Sequence, residues 1–106
     1  MGPQHLWQRD EALTLCERLE SAIVLADAGY HVALAGSVLY RGWSDKDLDV
    51  IVYVRGSVCL YRSKLNEALR IVGLTPAAAQ FEGAHYDRLV EVWEYNGKRV
   101  DLLFLS

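Results

Sequence analysis

Along residues 10–28 the apolar positions return at helical spacing. Ala12, Cys16, Leu19, Ile23 and Ala26 form one stripe, widened by Leu15, Ala22 and Leu25. This period predicts an amphipathic helix that starts at Asp10 or a neighbour and ends at Gly29. The pattern then changes: "YHVALAG", 30–36, is a short apolar run stopped by Gly36 and reads as a buried first strand. One turn of helix and a loop are expected over 38–43, followed by a second strand over 46–54 that Gly56 closes. A second helix is expected over 60–72, with Leu60, the stem of Lys64, Leu65, Ala68, Leu69 and Val72 turned inward and Gly73 as its stop.

Residues 74–87 contain Pro76 and Gly83 and show no period, so they read as a connection. Beyond them, "RLVEVWEYNGKRVDLLFLS" alternates on both sides of Asn96-Gly97. Asn-Gly tolerates the positive φ values of a type I′ turn, which predicts an antiparallel hairpin with a two-residue loop. The resulting order αββαββ, without internal repeats, indicates an α+β fold. Its mixed sheet is expected to have about four strands, with helices mainly on one face.

Composition narrows the class. A chain of 106 residues with 52% hydrophobic content, three Trp, six Tyr and two Pro suits one ordered domain over 1–106. The formal net charge of -3 excludes a grip on nucleic acid through phosphate attraction alone. Arg55, Arg62, Lys64 and Arg70 form a local basic run opposed only by Glu67, which reads as a solvated helix surface. Cys16 and Cys59 lack ligand spacing and read as small core residues, while His5, His31 and His85 are isolated. The first ten residues carry no apolar signal core, Leu6 breaks a myristoylation pattern, and no run is long enough to span a bilayer. A cytoplasmic location is expected.

The chemistry concentrates in "AGSVLYRGWSDKDLDVIVY", 35–53, where a strand opens with aspartates at 45, 47 and 49. Strand alternation puts Asp47 and Asp49 on one face, where two carboxylates are costly unless a cation lies between them. Hard oxygen ligands suit Mg²⁺ or Mn²⁺. Asp101, among the apolar residues of "RVDLLF", is a third candidate, provided its strand lies beside the first. Glu91 and Glu94 are its rivals. Upstream, Gly36-Ser37 follows a predicted strand directly, a turn into a helix start that favours phosphate oxygens.

Taken together, "LAGSVLYRGWSDKDLDVIV" resembles the signature of the DNA polymerase β-like nucleotidyltransferase superfamily. There, an apolar residue, Gly, and Gly or Ser precede an Asp-apolar-Asp-apolar stretch by a short spacer. Gly36-Ser37, residues 38–46 and then Asp47-Leu48-Asp49-Val50 fit it, whereas Asp45-Lys46-Asp47 has a charged middle residue and leaves Asp45 as a flanking residue. The resemblance implies that Gly36 and Ser37 contact the triphosphate of a nucleoside triphosphate and that Asp47 and Asp49 hold two divalent ions. Asp101 would hold one of these ions and help activate the attacking hydroxyl. Arg41 and Lys46 are candidates for neutralising phosphate charge. Trp43 and Tyr40 are expected to pack over the sheet edge or, for Trp43, to stack on a base; Ser44 is expected to cap the turn before Asp45.

The resemblance covers residues 10–105 and is nearest to the minimal nucleotidyltransferases, including antitoxin-type members that act with a separate helical partner. It implies a helical protein partner or a homodimer that completes the site. The acceptor would be a protein, a small molecule or an RNA end. The rival expectation is an antitoxin-like or regulatory binding protein with the same fold and weak or no catalysis.

Overall fold

The helix predicted first does form, and its buried stripe is Ala12, Leu15, Leu19 and Ile23. In the computed structural model, which describes residues 6–54, 62–85 and 88–105, this helix is α1, Arg9–Ala26, preceded by the two-residue strand β1, Trp7–Gln8. Leu25, expected to widen the stripe, is instead 88% exposed. At about 100° per residue it stands roughly 200° from Ile23, on the far side of the helix. Asp27, in the left-handed region at φ 54°, ends α1; its own N–H donates to the Val24 carbonyl and that of Ala28 to the Ile23 carbonyl. Asp10 and Glu11 occupy the first turn, where acidic side chains oppose the positive end of the helix.

Strand β2, Tyr30–Ala35, leads directly into the short helix α2, Gly36–Arg41. Strand β3, Trp43–Ser44, pairs with β1, and strand β4 spans Asp47–Val54. Helix α3 is Arg62–Val72. Its expected start at Leu60 lies outside the described residues, as do Arg55, Gly56 and Cys59. Segment 74–85, read from sequence as a connection, is strand β5, Leu74–His85, paired antiparallel with β6, Arg88–Tyr95. Two features hid it. Pro76 is tolerated because β5 lies at the edge of the sheet, and register shifts near Phe81 break the alternation that sequence reading relies on. The final strand, β7, is Lys98–Leu105.

The hairpin turn between β6 and β7 is as predicted, with Asn96 at φ 53° and Gly97 at φ 76°. The five-stranded sheet has the order β2-β4-β7-β6-β5, one strand more than expected. Among the described strands of this sheet, β4 and β7 pair in parallel and the other neighbours pair antiparallel.

Alternate residues of the sheet, Leu48, Val50 and Val52 on β4, Val100 and Leu102 on β7, and Trp93 on β6, meet Leu15, Leu19 and Ile23 of α1 and Leu65, Ala68, Leu69 and Val72 of α3 in one core. Each fully buried Leu or Val there contributes on the order of 1.5–3 kcal/mol. Trp7 locks the amino-terminal strand onto this core. Its indole N–H donates to the Arg99 carbonyl at 3.0 Å, and its ring stacks on Tyr95 at 6.3 Å. Among the described residues, no helix is long and apolar enough to cross a membrane.

Candidate metal and phosphate site

Because Leu48, Val50 and Val52 face the helices, Asp47 and Asp49 must face the other side of the sheet. The parallel register sets Asp49 beside Asp101 and Asp47 beside Arg99. Adjacency of the two strands, an assumption at the level of sequence, is thus a feature of the fold. Carboxylate oxygens of Asp47, Asp49 and Asp101 lie within 4.8 Å of one another. The same level of the sheet continues into β2, where Ala35 pairs with Asp49, so Gly36-Ser37 follow immediately beside the carboxylates.

Gly36 is required by that proximity. Its φ is +68°, and a Cβ there would collide with Asp49 Oδ2 and lie 2.8 Å from Asp49 Cγ. Ser37 is next in line and half-buried.

The rivals separate by strand parity. Glu91 pairs with Leu102, a core residue, and so points toward the helices. There it accepts a bond from Trp93 Nε1 at 3.0 Å and pairs with the Arg62 guanidinium. Arg62 also donates to Asn66 Oδ1 at 3.0 Å and stacks over Phe104 at 4.3 Å. This side chain, expected on a solvated basic face, is a clamp between α3 and the sheet. Glu94 is exposed, opposite Arg99 and two pairs along the ladder from Asp101.

Nothing in the sequence pattern marks Arg99, although its i, i+2 spacing to Asp101 puts both on one face of β7. Its Nε donates to Asp101 Oδ1 at 2.7 Å, its Nη2 to Asp101 Oδ2 at 3.3 Å, and Nε lies 3.8 Å from Asp47 Oδ2. This single guanidinium does not balance the cluster. Burial first, and then the charges of Asp47 and Asp101, push the Asp49 carboxyl up to about 6, with Arg99 pulling the other way. Asp47 is also raised, by burial and by the charge of and a hydrogen bond with Asp101, against Arg99 and Lys46.

The candidate phosphate cations are less central. Lys46 is exposed at the start of β4, and its backbone N–H donates to Ser44 Oγ at 3.2 Å, so Ser44 does brace the turn before the strand. Arg41 lies at the far end of α2 with its guanidinium 4.2 Å over the Trp43 ring. Tyr40, expected to pack, is exposed because the last turn of α2 points it outward. His31 on β2 pairs with Glu20 and tilts against Tyr53. The Cys16 thiol is pushed up to about 11 by burial and by Glu20, which suits an inert, partly buried thiol. His5 lies outside the described residues.

The three carboxylates fit a hard divalent cation. An ion holding oxygens at about 2.1 Å spaces opposite ligands by about 4.2 Å. Adjacent ligands of such an ion stand only about 3 Å apart, so oxygens within 4.8 Å of one another are near enough for side-chain rotation to bring them onto it. Bringing three like charges together at a half-buried place is costly without such an ion.

No protein-family model and no curated protein matches the sequence. Among solved structures, the fold matches one described as "Structural Basis for the Activity of a Cytoplasmic RNA Terminal U-transferase", with a TM-score of 0.63 at 13% sequence identity. The match covers 91% of this chain and 28% of that one, so the chain spans little more than a quarter of its neighbour's length. The five-stranded mixed sheet with its helices is a nucleotidyltransferase-like fold.

Proposed function

We propose that the chain is a metal-dependent nucleotidyltransferase of the minimal, DNA polymerase β-like type, moving a nucleoside monophosphate from a nucleoside triphosphate to a hydroxyl. The observation that carries this reading is the convergence of Asp47, Asp49 and Asp101 on the sheet face opposite α1 and α3, with Gly36 pressed against Asp49. Asp47, Asp49 and Asp101 would hold Mg²⁺ or Mn²⁺, which when bound supplies charge compensation to the attacking and leaving oxygens. The backbone of Gly36 and the N–H and hydroxyl of Ser37 bind phosphate oxygens, and Lys46 adds positive charge at the mouth. Arg41 serves the same end once it leaves Trp43.

In the reaction the acceptor oxygen bonds to the α-phosphorus as the bond from that phosphorus to the pyrophosphate oxygen breaks, and the acceptor proton passes to the Asp101 carboxylate. The structural neighbour is an RNA terminal U-transferase by its description. What we carry over is the transfer chemistry, to a protein, small-molecule or RNA acceptor, in a cytoplasmic setting. The net charge of -3 gives no general attraction for RNA.

Calorimetric titration with each ribonucleoside triphosphate, with and without Mg²⁺, tests the proposal. Metal-dependent binding by the native chain that is lost in Asp49→Asn supports it; binding by neither overturns it.

A second reading has one specific observation in its favour. The outer surface of α1 and α3 has a groove lined by Ala22, Leu25, Lys64, Glu67 and Ile71, with Leu25 and Ile71 exposed. Such a face suits an antitoxin-like or regulatory binding protein, a helical partner or a homodimer. A partner bound there without any nucleotide turnover would favour it.

A further inference from the structure

The carboxylate cluster has an internal cation, and its placement bears on how the site is loaded. Arg99 comes from the same strand as Asp101 and stands opposite Asp47 across the parallel pair. Its guanidinium forks both oxygens of Asp101, at 2.7 and 3.3 Å, and reaches toward Asp47 at 3.8 Å. Asp101 is only 8% exposed, so these bonds form where water competes poorly. The Arg99 side chain itself is 37% exposed. Exposed Glu94 stands directly across from it on β6.

We infer that Arg99 is a positioning residue that sets the affinity of the site for its divalent cation. It holds Asp101 in the metal-free protein as a counter-charge and yields when the metal arrives. This inference rests on the metal-binding reading above and adds a property to it. A guanidinium takes one lone pair from each Asp101 oxygen and puts a positive charge a few ångströms from the seat. A divalent ion must displace it or sit beside it, and either outcome weakens binding. The arrangement keeps the cluster from binding divalent ions tightly while no substrate is present. An incoming polyphosphate offers the released guanidinium an anionic partner, so metal and nucleotide binding reinforce each other.

The test is a titration with Mn²⁺ alone, followed by calorimetry, on the native chain, Arg99→Gln, Arg99→Lys and Asp47→Asn, with thermal unfolding in EDTA alongside. Arg99→Gln is expected to bind Mn²⁺ roughly tenfold more tightly, the scale of one charge-assisted hydrogen bond, and to melt lower in EDTA. Arg99→Lys, which keeps the charge and loses the fork, should fall between the two. Binding by Arg99→Gln that is equal to or weaker than that of a metal-binding native chain overturns the role of Arg99 and leaves the metal seat standing. Should Arg99→Gln fail to fold, an Mn²⁺ affinity of Arg99→Lys equal to the native one overturns it in the same way. Mn²⁺ binding by neither the native chain nor the Arg99 variants removes the seat, and the inference with it. Retained binding in Asp47→Asn would put the ion elsewhere, which also counts against it.

Discussion

Replacing Asp49 by asparagine changes one charge and almost no volume, so its effect isolates the electrostatic strain of the site. In the folded chain this carboxyl titrates near 6 instead of 3.8, because burial and the charges of Asp47 and Asp101 disfavour its ionised form. Its folded pKa lies above its unfolded one. Its contribution to stability is therefore fully present below the unfolded value, and it is lost as pH rises through 6. At pH 7.5 ionised Asp49 is thus a net cost to the metal-free fold. A shift of this size corresponds to about 3 kcal/mol at most. Asp49 is only half-buried, so solvent screening reduces this to about 1 kcal/mol. For a chain of this length, about 1 kcal/mol moves the unfolding midpoint by roughly 4–8 °C.

Asp49→Asn should therefore melt several degrees above the native chain in EDTA at pH 7.5, as followed by far-ultraviolet circular dichroism. The gap should narrow at pH 5, where native Asp49 takes up its proton. With excess Mg²⁺ the order should reverse, since the native chain gains binding energy that the variant lacks. A variant that melts below the native chain in EDTA, or a gap that is equal at both pH values, would refute this account of the site.

Gly36→Ala drives a methyl group into Asp49 and forces a left-handed φ on alanine. It should cost about 2 kcal/mol or more in a denaturant titration and remove triphosphate binding. Glu91→Ala strips a buried acceptor from Arg62 and Trp93. Its expected cost is about 2–3 kcal/mol of stability with Mn²⁺ affinity unchanged, whereas Asp101→Asn should lose Mn²⁺ binding; a drop in metal affinity for Glu91→Ala would contradict the strand parity that separates the two.

Legibility from the sequence followed the strength of local periodicity. The α1 stripe, the Asn96-Gly97 hairpin and the same-face pair Asp47 and Asp49 each have a period or turn signature in the residues themselves. Strand β5 lacks one, since Pro76 and two register shifts interrupt it, and the two-residue strands β1 and β3 are too short to carry any. The third carboxylate was accessible only as a costly aspartate in an apolar strand; its contact with Asp49 depends on which strands are neighbours, which alternation does not encode. Arg62 and Arg99 show the same limit. A charge in a basic run and a charge at a strand start look solvated until the tertiary fold supplies Glu91 and Asp101.

The place of β7 in the sheet has a consequence for biosynthesis. It follows the other described strands in sequence, yet it occupies the middle of the five-stranded sheet. Until residues 98–105 have been made, β2–β4 and β5–β6 are two separate hairpin-like halves, each with an open edge on the side that will meet β7. The same insertion that joins them delivers Asp101 and Arg99. Closure of this sheet and assembly of the carboxylate cluster are therefore one event, and a nascent chain gains the third carboxylate of the cluster only when β7 is in place.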